Sequence, residues 1–235
     1  MTQSEHNRVS DAEQARAALV SYFSRFGDEL EQVRALLQLR LEQLALAYCR
    51  RHNLPREAVL VTTRVKSLAS VLNKLARRGW PPFNDPTEVI TDMIGARVVC
   101  WFVDDCHAMV TLVASSKHLS LDAEVENYIA QPKPTGYRAI HLLARVSYDS
   151  VQGTESAARI ELAEQLCEIQ IRSKLQDAWG DITHEFHYKA KGRGIEQRQH
   201  EQALAAIAGR LAAEDEALMQ IRNAYQKLAA NSDSD

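Results

Sequence analysis

Apolar residues recur at helical spacing at both ends of this chain and alternate with polar ones along much of its middle. Residues 10–51 are dominated by Ala, Leu, Glu, Gln and Arg. Ser10 and Glu13 form a capping box at the start, and Asn53-Leu54-Pro55 forms a stop at the end. Gly27 is expected to divide this segment into two helices. Residues 62–189 mix helical and strand patterns, and residues 195–230 return to a helical composition before the polar tail NSDSD. No internal repeat is visible. The pattern predicts a mixed α/β (α+β) core at 57–192, with helical extensions at 1–56 and 193–235.

Within the core, Ser67 is placed to cap a helix whose Leu68, Val71, Leu72 and Leu75 form a buried face. Residues 93–103 are apolar apart from Gly95 and Arg97 and predict a largely buried strand, after which Asp104-Asp105 makes a solvated turn or a helix cap. YRAIHLLARVSY predicts a strand with Tyr137, His141 and Arg145 on one face and Ile140, Leu142, Ala144 and Val146 on the other. LCEIQIRS repeats the alternation, turning Cys167, Ile169 and Ile171 inward and Glu168, Gln170 and Arg172 outward. The span between those two strands reads as an exposed connection. SKLQDAWGDITHEFHYK predicts a helix burying Leu175, Ala178, Trp179, Ile182 and Phe186.

Composition narrows the possible functions. The chain has 235 residues, is 46% hydrophobic and 25% charged, and carries a net charge of −3, so a polyanionic ligand must be held by a local cluster rather than by bulk charge. No apolar run has secretory or membrane-spanning length, which predicts a cytoplasmic protein without a membrane partner. Cys49, Cys100, Cys106 and Cys167 lack a CxxC and read as reduced, mostly buried thiols. Neither GxxxxGK[ST] nor GxGxxG occurs, and the histidines of His184-Glu185-Phe186-His187 are three apart rather than the four of a zinc-protease helix.

A local cluster does exist. Between Glu57 and Asp85 no acidic residue occurs, while Arg64, Lys66, Lys74, Arg77 and Arg78 contribute five positive charges. This is either a solvated helix face or a polyphosphate cradle built from side chains. Asp92, before the strand, either caps a backbone group or binds a hard cation. In 133–142, Pro134 and Gly136 turn the chain so that Lys133 returns near Tyr137. The resulting aromatic plate with cations suits a nucleobase, although a tyrosine and histidine on a half-exposed strand can be ordinary.

These residues occur in an ordered series: Arg64-x-Lys66-Ser67 with Lys74; Asp92-x-x-Gly95-x-Arg97; Tyr128-Ile129 before Pro132-Lys133-Pro134-Thr135-Gly136-Tyr137-Arg138-x-x-His141; Glu168-Ile169-Gln170-Ile171-Arg172; then Trp179 and His184 to Lys189. Over about residues 60–190 the series resembles the synthetase domain of RelA/SpoT-type alarmone synthetases, and the whole resembles their single-domain small group. The resemblance implies a nucleotidyltransferase-like core on a mixed sheet. It also implies transfer of the β,γ-pyrophosphate of ATP to the ribose 3′-hydroxyl of GDP or GTP, without hydrolase activity.

By the same resemblance, Asp92 and Glu168 would hold Mg²⁺, and Glu168 would help deprotonate the attacking hydroxyl. Arg64 and Arg97 would sandwich adenine, while Lys66 and Lys74 would grip the ATP phosphates. Tyr137 would stack on guanine, with Lys133, Arg138, His141 and Gln170 around the acceptor nucleotide. Apart from the resemblance, Asp177, one turn into its helix, is either a surface helix residue or a carboxylate that accepts from guanine N1 and N2. Small relatives form tetramers, so a homo-oligomer is expected. Glu126-Asn127 replaces the family's common Lys-Asp, and Thr135 its common Asn. These departures keep open a toxin-type relative that modifies adenine nucleotides or the tRNA 3′ end, with an antitoxin partner, and an inactive nucleotide-binding module.

Overall fold

The structure, a computed structural model, describes residues 3–154, 157–190 and 197–232. A 49-residue helix, α1 (Gln3–Arg51), leads into strand β1 (Val59–Val65) and helix α2 (Leu68–Arg77). Strand β2 (Ile94–Cys100), helix α3 (Val103–Ala114), and the short strands β3 (Leu119–Leu121) and β4 (Glu126–Asn127) follow. The long strands β5 (Ile140–Thr154) and β6 (Ala157–Ser173) precede helices α4 (Lys174–Ala190) and α5 (Gln197–Ser232). Among the described residues the strands form one sheet in the order β1-β2-β6-β5-β3, with β4 against β5. The β2–β6 pair is parallel and the others are antiparallel.

The alternation anticipated from the sequence sorts this sheet into two faces. Ala96, Val98, Ile140, Leu142, Ala144, Cys167, Ile169 and Ile171 are buried against Leu30, Val33, Leu37 and Leu41 of α1 and Met109 and Val113 of α3. All four cysteines are buried and free. A smaller cluster joins Val71 and Leu75 of α2 to Leu19, Ile90 and Met93. No described helix is long and apolar enough to cross a membrane.

Three sequence expectations change. The first helix runs unbroken through both Ser10 and Gly27. A helical glycine costs about 1 kcal/mol, whereas the buried Leu19, Leu30 and Val33 on either side of Gly27 each contribute roughly 1.5–3 kcal/mol. The predicted exposed connection over 150–165 is instead the outer part of a β5–β6 ladder running from Ile140↔Ile171 to Thr154↔Ala157. The ladder satisfies the backbone, while Val151, Ile160 and Leu162 stay exposed. The strand predicted to reach residue 103 ends at Cys100, and Asp105, in the first turn of α3, is fully buried. Its carboxylate accepts from Tyr48 Oη at 2.7 Å and pairs with Arg222 of α5 at 2.9 Å, tying three helices together.

Candidate active site

Residues paired in register on neighbouring strands share a face. Thr62 lies opposite Arg97, Arg97 opposite Gln170, and Gln170 opposite His141; Arg64 lies opposite Gly95, and Gly95 opposite Glu168. The sheet face turned away from α1 is therefore a polar row across four strands. It floors a pocket of about 260 Å³ lined by Thr62, Arg64, Lys66, Asp92, Gly95, Arg97, Glu168 and Gln170, among others.

One half of this site is ionic. Ser67 caps α2 by accepting from Ser70 N at 3.3 Å, and Lys66 N donates to Met93 O at 2.7 Å, holding α2 and the loop before β2 side by side. Asp92 is thereby brought between two ammonium groups: Lys66 contacts Oδ2 and Lys74 lies 2.8 Å from Oδ1. Burial raises the Asp92 pKa, but hydrogen bonds and charge from Lys66 and Lys74 outweigh it and hold the carboxyl below its ordinary range. Arg64 stands exposed at the rim. Arg78 donates to Val89 O at 2.6 Å, and neither it nor the exposed Arg77 lines the pocket.

The other half is a hydrogen-bond relay. Arg172, 3% exposed, donates to Tyr137 Oη at 3.2 Å and also reaches Gln170 Oε1. Tyr137 Oη lies 2.8 Å from His141 Nε2, and His141 Nδ1 lies 3.1 Å from Glu168 Oε1. Gln170 Nε2 donates to Glu168 Oε2 at 3.0 Å. Because the carboxylate can only accept, the network assigns the ring proton to Nδ1, leaving Nε2 to accept from the tyrosine. Burial raises the Glu168 pKa, the contacts from His141 and Gln170 lower it, and the net direction is downward. Burial raises the Tyr137 phenol, keeping it protonated at neutral pH.

Lys133 Nζ lies 4.2 Å from the Tyr128 ring centroid and 5.4 Å from that of Tyr137, so the turn does return it to the aromatic plate. Asp177 sits between the halves, 3.2 Å from Arg97 and 3.6 Å from Arg172; Arg97 also bonds Asp181 at 2.9 Å. Arg138 donates through its guanidinium to Ile129 O at 2.8 Å, bracing the loop before Lys133.

Sequence reading did not assign Arg172 a site role, although its period-2 placement with Glu168 and Gln170 already put it on this face. Arg172 fits because Gly180 of α4 carries no side chain; a Cβ there would lie 2.8 Å from the guanidinium. Among the described side chains of α4 the buried ones are Gln176, Trp179 and Thr183; of the residues expected to be buried, Ala178 is exposed and Ile182 is 58% exposed. Asp215 of α5 gives Gln176 and Ser173 a polar partner, so a polar residue is buried at helical spacing with Trp179 and Thr183. The side chains of His184 to Lys189 lie outside the described residues.

Residues 63–193 match the family model described as a region found in RelA / SpoT proteins. The chain is similar to two GTP pyrophosphokinases of Bacillus subtilis. It is 34% identical to YwaC over 54% of this chain and 57% of that protein, and 33% identical to YjbM over 72% and 74%. The matched segment thus spans little more than half of YwaC. The fold is similar to that of the small alarmone synthetase 1 from Bacillus subtilis bound to its product pppGpp, with a TM-score of 0.70 and 27% identity over 87% of this chain and 98% of that one. With that region matched over more than half of its length, the chain belongs to the RelA/SpoT family.

Proposed function

We propose that this chain is a GTP/GDP pyrophosphokinase that moves the β,γ-pyrophosphate of ATP to the ribose 3′-hydroxyl of GDP or GTP. The observation that carries the reading is one sheet face joining a lysine-held carboxylate, Asp92, to a second carboxylate, Glu168, that ends an aromatic relay. The ionic half suits the donor and the relay half the acceptor. In this reading the synthetase core is 57–192, the protein works in the cytoplasm, and it forms a homo-oligomer, for which the exposed Leu218, Ile221, Tyr225 and Leu228 of α5 supply an apolar stripe at helical spacing.

Asp92 and Glu168 offer hard oxygen donors to the same pocket, a set that fits Mg²⁺, which commonly takes one or two carboxylates beside phosphate oxygens and water. Bound there, the ion would neutralise charge on the phosphate chain. Lys66 and Lys74 exchange Asp92 for the ATP phosphates, and Arg64 and Arg97 flank adenine. Arg97 must then release Asp177, whose freed carboxylate reads guanine N1 and N2. Tyr137 stacks on the acceptor base, with Lys133 beside it. Glu168 holds and accepts the 3′-hydroxyl proton, while His141 Nδ1–H on one oxygen and Gln170 Nε2–H on the other fix its orientation. A low carboxylate pKa suits this role, since pyrophosphoryl transfer draws mainly on alignment and charge stabilisation and little on strong base.

The test follows label from γ-³²P-ATP with Mg²⁺ into GDP, GTP, ADP, ATP or bulk tRNA offered separately. Label is expected in the guanine nucleotides. Label in adenine nucleotides or tRNA alone would replace the reading by a toxin-type transferase, and no label would replace it by a nucleotide-binding module.

A further inference from the structure

The turn that carries Lys133 and Tyr137 rests on α5. Gly136 at its apex is buried with φ +86°, and a Cβ there would lie 2.7 Å from Ala208 Cβ and 2.8 Å from Ala205 Cα. The turn is a closed unit: Gly136 N donates to Lys133 O at 2.8 Å, and Lys133 N to Tyr137 O at 3.1 Å. Displacing Gly136 therefore displaces the cation and the aromatic plate together.

The helix beneath cannot recede, because polar contacts hold it on both sides of that contact. Leu204 O accepts from Trp179 Nε1 at 3.2 Å. Farther along, Asp215 accepts from Ser173 Oγ at 2.6 Å and from Gln176 Nε2 at 3.1 Å, and Arg222 pairs with Asp105. Trp179 and Gln176 belong to α4, which also carries Asp177. One helix thus supports the acceptor loop and the helix bearing the base-reading carboxylate, while on the donor side Lys66, Lys74 and Asp92 pair with one another and Arg97 meets this scaffold through Asp177 and Asp181 of α4.

We infer that Ala208 of α5 is a positioning residue of the acceptor half: its small side chain, beside the Ala205 backbone, sets the height of the 133–137 turn, and so the affinity for the acceptor nucleotide independently of ATP. This rests on the pyrophosphokinase reading above. Ala208 fits the contact with almost nothing to spare, so each added carbon must lift the turn or bend a helix pinned at Leu204 and Asp215.

The experiment is a graded series, Ala208→Ser, Ala208→Val and Ala208→Leu, with Ala206→Leu on the exposed side of α5 as control. If the largest change prevents folding, the smaller ones carry the test. The guanine-nucleotide KM should climb along the series, by about tenfold or more at Val, with the ATP KM within about twofold of wild type. Amide exchange in the ligand-free protein should quicken at Lys133 and Gly136, whose bonds close the turn, and stay unchanged at Lys66. The control should match wild type in all three. Parallel rises in both KM values, or unchanged exchange in the turn, would overturn the inference. Absence of transfer by the wild type would instead overturn the activity reading, and the exchange data would still decide whether α5 holds the loop.

Discussion

The two halves of the site are built from different forces. Around Asp92, each group is held by opposite charge, and Lys66 and Lys74 are partly exposed. Around Tyr137 the order comes from directional hydrogen bonds that start at a buried guanidinium and end at Glu168. An ionic half binds by exchanging partners, so its affinity depends on salt and its geometry forms as the ligand arrives. A hydrogen-bonded half is arranged beforehand and selects by shape. The pairing suits a donor recognised by its phosphates and an acceptor recognised by its base.

Glu168, where the halves meet, gives the largest expected effect. Glu168→Gln keeps the shape and removes the charge, and transfer should fall at least about 10²-fold, the scale of losing one preorganised electrostatic group. Near-normal turnover in single-turnover assays would remove Glu168 from the chemistry. Tyr137→Ala should weaken acceptor binding by the roughly 1–3 kcal/mol of a stacked base, about 5- to 150-fold, with ATP affinity held. Equal losses measured calorimetrically for both nucleotides would erase the distinction between halves. Lys74→Gln should raise the ATP KM by about tenfold, the weight of one charge-assisted contact, and flatten its dependence on salt; a shift in the acceptor KM instead would reverse the assignment.

The smallest effect is on stability against pH, and the two sides differ in sign. Asp92 and Glu168 have folded pKa values below their ordinary ones, so they stabilise the fold above the usual carboxylate range and lose that contribution as pH falls through it. Asp215 is raised by burial despite its hydrogen bonds, so its contribution is greatest in acid and is lost as pH rises through the raised value. Asp215→Asn should accordingly leave neutral-pH stability unchanged or raise it by up to about 1 kcal/mol, read by denaturant melts.

The sheet's two faces were legible in the sequence because a period of two needs only neighbouring residues. Cys167 to Arg172 alone predicted which side chains meet α1 and which meet the pocket. The capped α2 was legible for the same local reason. Gly27 misled because its local cost is overridden by contacts with residues distant in the chain. The outer β5–β6 ladder was missed because Ser150 to Gln165 is too polar to show which face is covered. The bond from Arg138 to Ile129 O was not legible because a motif position says nothing about where a long side chain turns, and Gly136 against Ala205 and Ala208 is a contact between segments whose sequences carry no trace of each other.

The central place of β6 has a kinetic consequence. It is parallel to β2 yet arrives last among the strands, and it must enter between β2 and β5. Because β5 and β6 pair from Thr154↔Ala157 onward, β1–β2 and β3–β5–β6 can each form locally, leaving the facing edges of β2 and β6 open to other chains until they meet. Joining them closes a long loop, the slow kind of step in folding. The same step brings Glu168 between Gly95 and Leu143 and so unites the two halves of the site. Activity should therefore appear late in refolding and all at once, with no working half-built enzyme before it.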